Sequence, residues 1–219
     1  MQRTKNISQR VQKTVLSSIK EMSILADELR EKTGADIVSF GQGVPYFDTP
    51  EYIKEGIRAA LQEKSTAFYT LYTGITELRE LIAKDLMSRK GIADINFKRE
   101  IMVSTGCQEA LVCALATVID EGDEVLLLSP SFASYSEQIL LLGGIPMFVP
   151  LDEEGGWRLN VQALRERLSA KTKAILFSHP SNPTGTVFSE EELRQLAEVA
   201  KERDLILITD ETYDFLVYD

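Results

Sequence analysis

Residues 173–213, KAILFSHPSNPTGTVFSEEELRQLAEVAKERDLILITDETY, set two short apolar runs around one amphipathic segment. KAILFS (173–178) and LILITD (205–210) are nearly continuous apolar sequence, the pattern of strands covered on both faces. EEELRQLAEVAKER (190–203) between them has apolar residues at helical spacing. Working outward, the same alternation predicts strands over 101–105, 124–129 and 145–151, with helices over 108–119, 134–142 and 161–168. Segments 8–33, 50–63 and 76–89 read as helices; DIVSFGQGVPYFDTP (36–50) reads as a strand end and a Gly/Pro-punctuated loop. The predicted fold class is α/β, three-layered, with a mostly parallel sheet between helices.

In such sheets ligands bind beyond the carboxyl ends of the strands. The distinctive residues fall there: Gly106-Cys107-Gln108, Ser129-Pro130-Ser131-Phe132, His179-Pro180-Ser181-Asn182-Pro183 and Asp210-Glu211-Thr212-Tyr213. Gly106-Cys107-Gln108 joins a strand to a helix. It is either a phosphate seat, built from first-turn N–H groups and the helix dipole with Gly letting the backbone approach closely, or a structural turn. Asp210 ends an apolar strand, and a buried carboxylate stays ionised only with a cationic or hydrogen-bonding partner. No Lys or Arg is near it in sequence, so a distant basic residue or a ligand cation is expected, unless Asp210 is a helix cap. Two prolines around Ser181-Asn182 fix the backbone and aim the Asn amide. Phe132 and Tyr135 form an aromatic platform for a planar ring or pack in the core; His179, beside a proline, reads as a packing residue.

Composition narrows the function classes. The 219 residues are 44% hydrophobic and 26% charged, which is globular. Twenty-four basic against 34 acidic residues give a net charge of −10 and disfavour nucleic acid or an anionic membrane surface as partners. No apolar run approaches the roughly 20 residues of a membrane span. The start, MQRTKNISQRVQK, leads into no secretory h-region. Two cysteines and one histidine provide neither a disulfide framework nor a Cys/His metal cage, so no metal is expected. The reading is a cytoplasmic protein.

Six stretches together resemble class I/II aminotransferases, the fold-type I enzymes that use pyridoxal 5′-phosphate: GQGVPYFDTP (41–50), YTLYTGITELR (69–79), VSTGCQEAL (103–111), DEVLLLSPSFASY (123–135), SHPSNPTG (178–185) and TDETY (209–213). The resemblance implies that Asp210 faces the pyridine nitrogen and keeps it protonated, making the ring an electron sink. It implies that Tyr213 and Asn182 bond the ring's 3′-oxygen and that Phe132 stacks on its face. It places the phosphate on the backbone of Cys107 and Gln108, with Gly106 permitting the turn. Tyr69 resembles a residue that reaches the phosphate from a neighbouring subunit, implying a homodimer with shared sites. Gly43 would lie against the substrate carboxylate, and Asn182 is also a candidate substrate-binding residue. Residues 1–45 would form an N-terminal arm and part of the small domain, and 46–219 the N-terminal portion of the large cofactor-binding domain.

The implied function is transfer of an amino group from an amino acid to a 2-oxo acid. The family's Schiff-base lysine follows the DETY segment at a distance this sequence does not reach, so the expectation is an N-terminal half that does not transaminate alone. A carbon–sulfur lyase shares much of the same site and is the nearest alternative. A non-catalytic aminotransferase-like ligand-binding domain is the other, although only about 36 residues precede Ile37, too few for a winged-helix DNA-binding module. A nicotinamide dehydrogenase is excluded because Gly41-Gln42-Gly43 lacks the rest of the dinucleotide fingerprint and leads into a loop.

Overall fold

The computed structural model describes residues 7–14, 18–41, 43 and 46–218. The chain divides into two compact units: Met1–Met22 with Cys107–Asp219, and Ser23–Gly106.

The first unit is built on four parallel strands, β1 (Glu124–Ser129), β2 (Ile145–Pro150), β3 (Thr172–Ser178) and β4 (Ile206–Asp210), in the order β2-β1-β3-β4. Successive side chains on a strand point to opposite faces, and two cores follow from that period. Leu126 and Leu128 of β1 and Ile175 and Phe177 of β3 pack with Leu164, Leu196 and Val199. These last three come from the helices later in the chain, Val161–Arg167 and Glu190–Glu202. Val125 and Leu127 of β1 and Ala174 and Leu176 of β3 pack on the other side with Leu111, Leu115, Tyr135 and Ile139. Those residues belong to helices Gly106–Val118 and Ser134–Leu141. The expected three-layer α/β architecture is therefore present.

In chain order the helices are α1 (Gln9–Lys13), α2 (Ser18–Thr33), α3 (Glu51–Ala60), α4 (Thr76–Lys90), α5 (Phe97–Glu100), α6 (Gly106–Val118), α7 (Ser134–Leu141), α8 (Val161–Arg167) and α9 (Glu190–Glu202). The single helix read over 8–33 is two: α1 ends at Thr14, whose backbone is extended, and residues 15–17 lie outside the described residues. A short 3₁₀ turn, Lys64–Ala67, and α5 have too few residues to show a period and were not foreseen. α9 starts where Ser189 and Glu192 form a reciprocal capping box, satisfying two otherwise orphaned N–H groups. His179 packs as expected. Its ring stacks on Phe188 at 5.7 Å, and its Nε2 accepts the Phe188 N–H at 3.0 Å.

Two strand expectations are corrected. Residues 101–105 are not a strand. The Val103 N–H donates to the Thr73 carbonyl, and the Ile101 carbonyl accepts from Arg79. The apolar run reported burial of Ile101, not a pairing partner. β4 is also not covered on both faces, since Ile206 is 51% and Leu207 38% exposed. The four strands are direct hydrogen-bonded neighbours, and both outer strands of the described sheet expose apolar side chains, Ile206 and Leu207 on β4 and Ile145 and Phe148 on β2.

In the second unit, Arg79 of α4 is 4% exposed and spreads its guanidinium over three neutral acceptors. They are the Ile101 carbonyl at 2.9 Å, the Thr73 hydroxyl at 2.8 Å and the Phe97 carbonyl at 2.7 Å. One side chain thus ties α4 to the turn before it and to α5. Close by, Gly74 has φ +96° and an added Cβ would stand 2.8 Å from that of Val103, so only glycine fits there. Arg79→Met is expected to destabilise the protein by about 3 kcal/mol in urea unfolding, because several charge-assisted bonds go at once. Arg79→Lys should recover only part of this, since an ammonium lacks the planar fork.

Candidate functional site

The strand order places a topological switch between β1 and β3: the chain leaves β1 toward β2 and leaves β3 toward β4. Their carboxyl ends diverge, and the segments after them border an open crevice. The pairing register brings Ser178 beside Asp210, and the His179 N–H bonds the Asp210 carbonyl at 2.9 Å. The peptide bonds before Pro130, Pro180 and Pro183 are cis, all in the segments that follow β1 and β3.

A pocket of about 150 Å³ opens there, lined by Cys107, Gln108, Phe132, Tyr135, Asn182, Asp210, Thr212 and Tyr213. Each element contributes by its end. α6 supplies Cys107 and Gln108 in its first turn, where amides have no intrahelical carbonyl to meet. Gly106 before them has φ +80°, and a Cβ there would meet nothing within 4 Å. The positive φ by itself favours glycine there. The loop after β3 is fixed internally. The Asn182 N–H donates to the Ser178 hydroxyl at 2.8 Å, Gly185 N–H to the Ser181 carbonyl at 2.8 Å, and Ser181 N–H to the Thr186 carbonyl at 2.9 Å. So held, the Asn182 amide reaches the Tyr213 hydroxyl at 3.4 Å. Phe132 meets Tyr135 edge-on, centroids 5.6 Å apart.

Asp210 is the electrostatic centre. Its partners within the chain are neutral donors, so the distant basic residue, one of the two expected partners, is not there. Oδ2 accepts from the Tyr135 hydroxyl at 2.8 Å, while Oδ1 accepts from the Thr212 hydroxyl at 2.6 Å and the Thr212 N–H at 3.1 Å. Partial burial pushes its pKa up, but the bonds from Thr212 and Tyr135 outweigh that and hold the carboxyl below the ordinary carboxylate range. Burial raises the Cys107 thiol, and Asp210 adds to the rise against a bond with Thr212, so the thiol stays protonated. Burial and the Asp210 charge also raise the Tyr135 phenol far beyond neutrality, leaving it a donor.

Six of the sequence-selected residues therefore share one pocket: Cys107, Gln108, Phe132, Asn182, Asp210 and Tyr213. Gly106 sets the turn that precedes it. Gly43 and Tyr69 belong to the second unit, where Tyr69 is fully exposed. Two partners of Asp210 were missed. Thr212 could have been found from its spacing, since Asp commonly bonds its own backbone two residues on. Tyr135 lies 75 residues away, and its hydroxyl left no sequence signal.

The profile of aminotransferase class I and II matches residues 35–219. A probable aspartate/prephenate aminotransferase of Aquifex aeolicus is 42% identical over 98% of this chain and 53% of its own length. An aromatic-amino-acid aminotransferase of Thermococcus litoralis is 38% identical over 97% of this chain and 53% of its own. Among solved structures, the aspartate aminotransferase of Thermus thermophilus with maleate superposes with a TM-score of 0.90 at 35% identity, covering 99% of this chain and 56% of that one. The chain spans about half the length of the curated relatives it matches.

The lowered Asp210 pKa gives a signed expectation. Native Asp210 holds its proton less tightly than in the unfolded chain. Its contribution to stability is therefore full above the unfolded value near 3.8 and lost as pH falls through the lower native value. Thermal unfolding of wild type and Asp210→Asn from pH 7 to pH 3 should show a stability gap that narrows only below about pH 4. A gap that widened on acidification would contradict an ionised carboxylate.

Proposed function

The chain belongs to the class I and II aminotransferases, and from that premise we propose that the whole protein moves an amino group from an amino acid to a 2-oxo acid, using pyridoxal 5′-phosphate in the pocket at the carboxyl ends of β1, β3 and β4. The observation that carries this reading is Asp210, an ionised carboxylate furnished only with neutral donors by the residues that bond it. Its charge is left to meet a cation, and a protonated pyridine nitrogen is one of matching shape.

The donor set fits the rest of that group. The first-turn amides of Cys107 and Gln108, reached through Gly106, suit a phosphate at a helix N-terminus. Phe132 supplies an aromatic face, and Tyr213 with Asn182 supplies two polar groups 3.4 Å apart for the ring oxygen. When bound, the cofactor supplies an electron sink for the carbanion formed as the amino acid loses its α-proton. The protein's share is to fix the ring, hold its nitrogen charged through Asp210, and orient its oxygen through Tyr213. Gly43 is assigned to the substrate carboxylate, and Asn182 to substrate as well as to the ring oxygen. The anchoring lysine is assigned to sequence beyond Asp219, within the length of the relatives that this chain does not span.

The relatives named for aspartate, prephenate and aromatic amino acids favour an acidic or aromatic amino donor. We place the protein in the cytoplasm as a homodimer with shared sites, Tyr69 reaching the partner's phosphate. The fully exposed Tyr69 ring supports the shared site. No described helix is long and apolar enough to cross a membrane. Residues 1–45 are assigned to the N-terminal arm and small domain, and 46–219 to the large domain.

Titration of the intact protein with pyridoxal 5′-phosphate tests the reading. Asp210→Ala is expected to weaken binding at least tenfold and Tyr213→Phe several-fold, at about 1.4 kcal/mol per decade. With an amino acid and a 2-oxo acid added, the products should be the exchanged pair without ammonia. Release of ammonia would point to a lyase, and no binding at all would overturn the cofactor reading.

A further inference from the structure

Tyr135 is 1% exposed, sits among Leu111, Leu115, Ile139 and Leu176, and yet ends in a hydroxyl within the pocket. We propose that Tyr135 is the positioning residue of this site. Its hydroxyl holds Asp210 and its ring packs T-shaped against Phe132, so one core side chain sets both the carboxylate and the aromatic face that a planar cationic ring meets.

The geometry supports this in three steps. The ring is immobilised by the core, so the 2.8 Å bond from its hydroxyl fixes Oδ2 of Asp210 without ordering a mobile group at binding. Thr212 fixes Oδ1 through a hydroxyl and a backbone N–H, and the N–H cannot turn round to accept. A carboxyl with donors on both oxygens is held ionised and in one rotamer, with lone pairs left for a third partner. The same ring, edge-on to Phe132 at 71°, limits where the Phe132 face can lie. Tyr135 touches neither substrate nor reacting atoms in this scheme; it acts through Asp210 and Phe132.

This rests on the pyridoxal phosphate reading, and the experiment separates the two. In the intact protein without cofactor, dissociation constants are measured for pyridoxal 5′-phosphate and for its deaza analogue, in which a C–H replaces the ring nitrogen. The variants are Tyr135→Phe, Asp210→Asn and the pair together. Tyr135→Phe should weaken the natural cofactor roughly tenfold and leave the analogue within about twofold, as one charge-assisted bond is lost. The double variant should bind no more weakly than Asp210→Asn alone, because both changes act on one interaction. Equal weakening of both ligands, full additivity with Asp210→Asn, or a Tyr135→Phe chain that fails to fold would each make Tyr135 merely structural and overturn the proposal. If Asp210→Asn leaves the affinity for pyridoxal phosphate unchanged, the cofactor reading itself falls.

Discussion

The pairing of β1 with β3 is the constraint on which the rest of the first unit depends. Val125, Leu126, Leu127, Ala174, Ile175 and Leu176 are all wholly buried, so neither strand has a face it could turn to water. Fixing both faces fixes the register, since a slip of one residue would exchange the two cores. It also fixes where the chain must part. β2 lies beyond β1 and β4 beyond β3, so the segments leaving the central pair go opposite ways and leave a crevice between them. The pocket is thus a consequence of strand order, lined by residues at or after the ends of β1, β3 and β4 and by the start of α6.

What the pocket contains is less forced. Its walls are apolar or neutral, and the charge resides on Asp210. A half-buried carboxylate is costly, and three neutral donors stabilise it without cancelling its charge. Cys107, the nearest further titratable group, is pushed toward its neutral form by the same field. The site therefore concentrates one negative charge next to a helix start that favours negative ligands. That pairing suits a ligand carrying a cation at one end and an anion at the other.

The central strands and their helices were legible because continuous apolar runs and helical spacing state burial directly, and burial decides the layers. Residues 101–105 misled for the same reason: Ile101 is buried, but pattern does not reveal whether a backbone finds a strand or, as here, a turn and an arginine. The site's membership was largely legible, since strand ends could be counted off the sequence. Its bonding was not. Sequence lists charges but cannot show that a phenol 75 residues away reaches Asp210 at 2.8 Å. Thr212 lay in view, two residues on, and was passed over. The reading of His179 as packing held because a ring beside a proline at a strand end has an aromatic neighbour to stack on and a backbone N–H to accept.

The choice of neutral donors over an ion pair has its own physical logic. An arginine in the place of Tyr135 would also keep Asp210 ionised, and more firmly. It would then compete with any ligand cation for the same oxygens, and the ligand would have to break a salt bridge to bind. A phenol and a threonine fix the carboxylate and lower its pKa while leaving the charge unspent. Because Tyr135 lies in the same core as Leu115 and Ile139, the energy that orders it comes from packing, and no binding energy is consumed in orienting the group. The hydrophobic core thus extends into the site through one hydroxyl, and the stability of the fold and the readiness of the carboxylate rest on the same side chain.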